Sequence, residues 1–322
     1  MKWKDKPYHS LDYEMRQRFG EKVYRLSLNG GMTCPNRDDT CGTRGCIFCS
    51  EGGSGDFAGS AALPIAEQLA QQKEIARRKQ PVARFIAYFQ AYTNTYAPVD
   101  YLERIFMEAI QDPEVCILSI ATRPDCLGPD VLSLLQRLNR IKPVWVELGL
   151  QTVHERSALL IRRGYPLSCF EEAVTALRQC GIEVIAHVIL GLPGETKEDM
   201  LQTCRSLNYY DIQGVKLQLL HILKHTDLAQ LYQSQPFPVM TMEEYISLLI
   251  DCIEQLSPEL VIHRLTGDGP KDLMIAPLWS THKRTVLNQI HAAFRQRDTW
   301  QGKYYTEFTG GLSCPNHLPS TN

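Results

Sequence analysis

Strand-like and helix-like runs alternate along most of this chain, and that rhythm limits the folds open to it. Runs with a two-residue hydrophobic period occupy residues 23–28, 85–91, 115–121, 144–150, 183–190 and 214–221. Helical periodicity follows them at 65–78, 99–110, 130–138, 170–180, 197–207 and 242–256. Parallel strands need a long crossover, and a helix supplies it. Six such units predict an α/β fold with a parallel sheet and right-handed connections. Curled into a partial or full barrel, the sheet places function at the C-terminal ends of its strands.

The two faces of these strands differ in chemistry. Along 144–151, Val144, Val146, Leu148 and Leu150 share one face, and Trp145, Glu147, Gly149 and Gln151 share the other. Ser119 and Arg123 oppose Leu118 and Ile120, and Lys216 and Gln218 oppose Val215, Leu217 and Leu219. A filled barrel interior would be branched and aliphatic. Polar groups recurring on several strands predict a ligand cavity instead. After residue 223 the alternation weakens, prolines 236, 238 and 258 punctuate the chain, and Gly267-Asp268-Gly269-Pro270 signals a turn. A last amphipathic helix is expected at 285–296. These shifts divide the chain into an N-terminal segment (1–17), a core barrel (18–257) and a C-terminal extension (258–322).

Cysteine usage narrows the chemistry. The loop after the first strand reads GGMTCPNRDDTCGTRGCIFCS and carries Cys34, Cys41, Cys46 and Cys49. Three thiolates would satisfy three irons of a [4Fe-4S] cluster and leave the fourth open to a small molecule. All four would instead suit a structural zinc ion. The loop alone supports either. The chain's 11 cysteines are odd in number and irregularly spaced, unlike a disulfide framework. Cys116, Cys126, Cys169, Cys180, Cys204 and Cys252 are scattered and read as small buried hydrophobes. A later segment, 310–316, echoes 30–36 and repeats its cysteine as Cys314, but no Cys-x-x-Cys follows it, so an unligated tail is expected. The N-terminus is charged and no window reaches membrane length, so a reducing cytoplasm is expected, with no membrane partner. Net charge is −2, which leaves no global positive field for nucleic acid. RNA binding would need a local basic patch.

The cysteine loop resembles that of the radical S-adenosylmethionine (SAM) superfamily. Further segments occur in family order: YFQAYTNT from Tyr88, ATRPDC from Ala121, ELGLQT from Glu147, HVILGLPGET from His187, VKLQLLHILK from Val215 and HRLTGDGP from His263. More narrowly, the chain is similar to the YhcC-like family, related to the radical-SAM half of the elongator catalytic subunit. The resemblance implies a partial (β/α)6 TIM-type barrel with a C-terminal extension. It implies a [4Fe-4S] cluster on Cys34, Cys46 and Cys49, with Cys41 at a position the family does not require to be cysteine. The alternative triplet of Cys41, Cys46 and Cys49 is also compatible with the spacing. SAM would bind the open iron and yield a 5'-deoxyadenosyl radical after one electron from a reductant such as flavodoxin or ferredoxin.

By the same resemblance, SAM contacts fall to Gln90, Thr93 and Asn94, to Ser119, Thr122 and Arg123, to Glu147 and Gln151, and to Gly191 and Pro193. Here QAYTNT replaces a glycine-rich segment of relatives, with Thr93 and Thr95 retained. Plainer readings stand beside these. Gly191 to Glu195 would be a strand–helix turn with Glu195 in the first helical turn. Glu147 would bridge Arg123 or Lys216 as a structural ion pair. His187 would be a hydrogen-bonded core histidine. The implied substrate is transfer RNA bearing a 5-carboxymethylaminomethyl group on the wobble uridine, to be converted to the 5-aminomethyl base. Lys216, Lys224 and Arg264, with Arg123, are candidates to hold its carboxylate. Arg77-Arg78-Lys79, Arg162-Arg163, His282-Lys283-Arg284 and Arg295 with Arg297 are candidates for RNA, or equally for solvated helix faces. A small metabolite or peptide substrate is the competing expectation, and a zinc-stabilised RNA-binding scaffold without turnover is a third.

Overall fold

The computed structural model describes residues 3–53, 55–79 and 81–306, so the echo at 310–316 with Cys314 lies outside the described residues. Ser10 accepts a hydrogen bond from the Tyr13 amide at 3.2 Å and starts helix α1 (Leu11–Phe19), which Gly20 ends in the left-handed conformation. Strand β1 (Val23–Leu28) follows, then α2 (Ile65–Lys79), β2 (Arg84–Phe89), α3 (Val99–Gln111), β3 (Val115–Thr122), α4 (Pro129–Asn139) and β4 (Val144–Gln151). The chain continues through α5 (Glu155–Leu160), α6 (Leu167–Gln179), β5 (Glu183–Leu190), α7 (Lys197–Ser206), β6 (Gly214–Leu219) and β7 (Ile222–Leu223). It closes with α8 (Asp227–Ser234), α9 (Met242–Gln255), β8 (Val261–Arg264), β9 (Met274–Ala276) and α10 (Lys283–Gln296).

The main sheet is parallel throughout and runs in the order β1-β2-β3-β4-β5-β6-β8. It therefore has seven strands where the alternation predicts six. The seventh, β8, comes from the stretch read as the extension. Its four residues follow Pro258 too closely to carry a legible period. A partial TIM-type barrel results, as the resemblance implies. β7 and β9 form a separate antiparallel pair beside it.

Two cores lie on opposite faces of the sheet. Outside, Leu26, Phe85, Phe89, Leu118, Ile120, Val146 and Leu148 pack against helical residues such as Leu102, Phe106, Leu134 and Phe170. Inside, at the N-terminal ends of the strands, Met15 of α1 packs with Ile86, Ile117, Trp145 and Ile185. This inner cluster fills the base of the barrel. α1 reaches it because the Ile262 amide donates to the His9 carbonyl at 2.7 Å, tying the N-terminal segment to β8. The Arg25 guanidinium of β1 also meets Nδ1 of His263 of β8 at 3.3 Å, across the gap between the outermost strands.

Candidate functional site

The loop between β1 and α2 is held mainly by its own backbone. The Arg37 amide donates to the Cys34 carbonyl at 2.8 Å, Gly45 to Asn36 at 2.6 Å and Cys49 to Cys46 at 3.1 Å. Asn36 is buried, and its Nδ2 donates to the Arg162 carbonyl at 2.7 Å and lies 3.6 Å from Cys46 Sγ. Arg37 ties down the far end by donating to the carbonyls of Ser50 and Cys49 at 2.6 and 3.2 Å. The result turns Cys34, Cys46 and Cys49 toward one cleft at the C-terminal ends of the strands, with about 1400 Å³ of empty space open to solvent. Cys41 is exposed and belongs to a separate hollow beside Pro35, Thr40 and Tyr96.

That separation tests the metal readings. A four-thiolate zinc site needs Cys41 beside the other three. Among the described residues no three His, Cys, Asp or Glu side chains close on a point that one ion would fill. Burial, with the neighbouring Cys49 and Cys34, pushes the Cys46 thiol up to about 12, although Arg123 and Asn36 oppose this. Three thiolates together on this wall would repel one another. A cationic group that spreads its charge over several irons relieves that repulsion, so the donor set fits a cluster.

Next to the cysteines stands a pair of buried arginines. Arg163 donates to the carbonyls of Thr152 at 2.7 Å, Tyr165 at 2.9 Å and Leu150 at 3.1 Å. Arg123 is bidentate on Asp125, at 2.9 and 2.6 Å, and donates to the Arg163 carbonyl at 3.0 Å. Both guanidinium carbons lie within 5.1 Å of the Tyr165 ring centroid. The Tyr165 hydroxyl donates to the Gly149 carbonyl at 2.7 Å and approaches Gln151 Oε1 at 3.2 Å. Gln151 has a φ of +60° at an irregularity in the β4–β5 pairing, which turns the strand end toward the cleft.

Below the cleft lies a layer of buried charge. Glu147 Oε1 accepts from Ser119 Oγ at 2.9 Å and sits 3.1 Å from Arg25 Nη1. Its Oε2 takes His187 Nε2 at 2.8 Å and the Lys216 ammonium. Lys216 Nζ also lies 3.2 Å from the Tyr88 hydroxyl and 4.3 Å from the centre of its ring. Burial works against the Glu147 carboxylate, but the charges of Lys216 and Arg25 and the His187 hydrogen bond hold it well below the usual range. Burial and Arg25 drive Lys216 toward the neutral amine, against Glu147. We assign the ion pair, because the Glu147 carboxylate, itself held ionised, sits directly on Nζ. Burial, then the Lys216 charge, pushes His187 down to about 4, so it is neutral near pH 7.

Of the residues singled out in the sequence, Cys34, Cys46, Cys49, Gln90, Thr93, Thr122, Arg123, Glu147, Gln151 and Arg264 line the cleft. Asn94 lies behind it, donating to the Phe89 and Ala121 carbonyls. Ser119 and Lys216 lie in the charge layer as partners of Glu147. Gly191, with φ +92°, and Pro193 form the turn after β5 and are not among the cleft-lining residues. Thr196 caps α7, so Glu195 precedes the helix and instead accepts from Thr152 Oγ1 at 2.6 Å. Lys224 is exposed and donates to the Asp272 carbonyl at 2.8 Å. His187 bonds Glu147 as a core histidine would, yet its side chain lines the cleft.

Sequence reasoning passes over Tyr88, Tyr165, Arg37 and His221, which also line the cleft. Arg163 looked like half of a surface dibasic pair but is 1% exposed. Of the other basic candidates, Arg77 pairs with Glu114, Arg78 with Glu74, Arg162 with Asp227, Lys283 with Asp268 and Arg297 with Asp251.

Known proteins match both halves of this architecture. The family profile described as the Radical SAM superfamily matches residues 39–207, and the one described as the Radical_SAM C-terminal domain matches 212–296. The chain is 44% identical over 301 residues to the uncharacterized protein YtqA of Bacillus subtilis, covering 94% of each. It is 30% identical over 187 residues to a tRNA uridine(34) acetyltransferase of Dehalococcoides mccartyi, covering 55% of this chain and 39% of that protein. In fold it resembles the Elp3 of the archaeon Methanocaldococcus infernus, with a TM-score of 0.66 at 14% identity over 87% of this chain and 64% of that one.

Proposed function

The chain belongs to the radical SAM superfamily, with a [4Fe-4S] cluster and SAM as its cofactors, and from that premise we propose that it modifies the wobble uridine of transfer RNA, converting the 5-carboxymethylaminomethyl group to 5-aminomethyl. When bound, the cofactors supply a 5'-deoxyadenosyl radical that removes a hydrogen atom from an unactivated carbon. Cys34, Cys46 and Cys49 are the ligands in this reading. The observation that carries it is their shared position on the cleft wall, with Cys41 outside.

The chain's own residues bind, orient and exclude water. Asn36 and Arg37 fix the cysteine loop before any group arrives. Gln90, Thr93, Thr122, Arg123 and Gln151 offer polar contacts to SAM from the strand ends. Tyr165, held by two arginines and two acceptors, gives the cleft a rigid aromatic wall against which a cofactor would pack. The aliphatic outer core and the filled base keep water from reaching the cleft through the barrel wall.

Support for transfer RNA comes from the D. mccartyi relative, whose name specifies uridine 34 of tRNA. The substrate chemistry agrees: hydrogen removal from the N-CH2-COO⁻ carbon leaves a radical stabilised by nitrogen and carboxylate together. Return of one electron from that radical to the oxidised cluster would give the imine. Water adding across its C=N bond would release the two-carbon unit as glyoxylate and leave the primary amine. A one-electron reductant such as flavodoxin or ferredoxin completes the system. A small-molecule substrate is the second reading, favoured by the net charge of −2 and by the ion pairing of most basic candidates. Anaerobically reconstituted protein incubated with SAM, reductant and carboxymethylaminomethyl-bearing tRNA is expected to consume that nucleoside and form 5'-deoxyadenosine in step. Intact nucleoside alongside vigorous SAM cleavage would remove tRNA from the account.

A further inference from the structure

Arg37 and Arg163 line the cleft but spend their donors on backbone carbonyls. Four other cations have the chemistry to hold a carboxylate near the cleft, and their surroundings separate them. Arg123 is engaged by Asp125 and by the Arg163 carbonyl. Lys216 is engaged by Glu147 and Tyr88. Lys224 donates its ammonium to the Asp272 carbonyl and is not among the cleft-lining residues. Arg264 differs from all three. It lines the cleft, and Nη1 donates to a neutral acceptor, Gln218 Oε1, at 3.0 Å. Its one carboxylate neighbour, Asp268, lies 3.6 Å away, beyond hydrogen-bond length, and is drawn instead to Lys283 at 2.6 and 2.7 Å. A guanidinium steadied by an amide with donors left over is ready for a two-pronged partner.

The surroundings of Arg264 are also built rather than loose. His221 lines the same wall, and its buried Nε2 has no partner among the described residues. Gly267 and Gly269 approach the His221 ring so closely that an added Cβ would fall 2.8 and 3.0 Å from it. Below them, His187 has its tautomer fixed. The Glu147 carboxylate has only lone pairs to offer at 2.8 Å, so Nε2 carries the proton and Nδ1 is an acceptor. The charged groups acting on this ring are Glu147 on β4, Lys216 on β6 and Arg264 at the end of β8, while Arg25 on β1 joins the layer through Glu147.

We infer that this wall is a receptor for a substrate bearing a carboxylate beside an N–H group, with Arg264 holding the carboxylate and His187 Nδ1 accepting from the N–H. The inference rests on the reading of the cleft as a radical site and narrows the substrate class within it. It makes Arg264 a specificity-determining residue, since an uncharged analogue would leave the guanidinium unpaired. N-ethylglycine carries the relevant fragment, and N-ethylglycinamide replaces its carboxylate with a neutral amide.

Calorimetric titration of the anaerobically reconstituted, SAM-loaded protein with both probes tests the receptor. Wild type is expected to prefer the acid, and Arg264→Gln to weaken acid binding about tenfold or more while the amide shifts about twofold or less. Arg264→Lys should recover part of the preference, and iron content equal to wild type shows that each variant is folded and loaded. Equal acid binding by wild type and Arg264→Gln, or no acid preference in wild type, overturns the receptor. Failure of the tRNA reading is a different result: an Arg264-dependent acid preference without conversion of modified tRNA. Conversion of tRNA with a KM unmoved by Arg264→Gln removes the receptor and leaves the tRNA reading standing.

Discussion

The cleft holds two sets of ionisable groups, one buried and one half-buried, that meet the loss of water in opposite ways. In the charge layer, Glu147 meets Lys216, Arg25, His187 and Ser119, and each partner cancels part of its desolvation. On the loop wall, Cys34, Cys46 and Cys49 are of one kind, and Cys49 and Cys34 add to the cost of ionising Cys46. The first set is complete without any addition. The second gains a counter-charge only if a metal group binds there, as proposed above. Self-sufficiency therefore distinguishes buried groups that build the barrel from those that bind something in it.

Breaking the loop set should give the largest effect. Cys34→Ala, Cys46→Ala and Cys49→Ala are each expected to lose iron and sulfide and to cut 5'-deoxyadenosine formation by about a thousandfold or more, read by metal analysis and chromatography. Metal-free Cys34→Ala should unfold in urea much as metal-free wild type does, whereas Cys46→Ala also gives up the Sγ contacts with Asn36 Nδ2 at 3.6 Å and the Arg162 carbonyl at 3.4 Å.

The charge layer should respond in the reverse sense. Glu147→Leu strands Lys216 and Arg25 and is expected to cost about 3–5 kcal/mol in urea denaturation of metal-free protein. The double variant Glu147→Leu/Lys216→Met should recover part of that loss. A double variant as unstable as the single one would mean that the pair does more than cancel itself.

Acid sharpens the same contrast. Glu147 is depressed in the folded state, so its stabilisation is present above the unfolded value of about 4.3 and is lost as pH falls through the lower native value. Wild-type Tm should fall more steeply below about pH 4.3 than that of Glu147→Gln/Lys216→Met, whose core pair no longer titrates. Parallel curves would place the acid sensitivity elsewhere. The smallest effect should come from Cys41→Ala, an exposed site, with iron content unchanged and stability within about 0.5 kcal/mol.

Much of this was legible because its signals are local. The period of two in 144–151 sorted Glu147 and Gln151 inward and Val146 and Leu148 outward, and the structure agrees. The cysteine loop announced itself by crowding. What escaped was tertiary. Arg163 and Tyr165 sit in RRGYP, which reads as a charged surface turn, and only the returning chain after α5 buries them against Leu150 and Thr152. β8 escaped because four residues show no period. His187 was half legible: its apolar neighbours predicted burial, but nothing local predicted that Glu147 would hold one ring nitrogen and leave the other for the cleft.

The stopper at the foot of the barrel has a consequence for traffic. With Met15, Trp145 and Ile185 packed across the foot of the barrel, the cleft at the opposite ends of the strands is the natural doorway, in and out, for whatever binds there. A polymer large enough to sit across that doorway would lock a smaller guest inside. If the substrate is the transfer RNA proposed above, loading would run in sequence, the sulfonium donor ahead of the macromolecule, with the spent nucleoside waiting behind it.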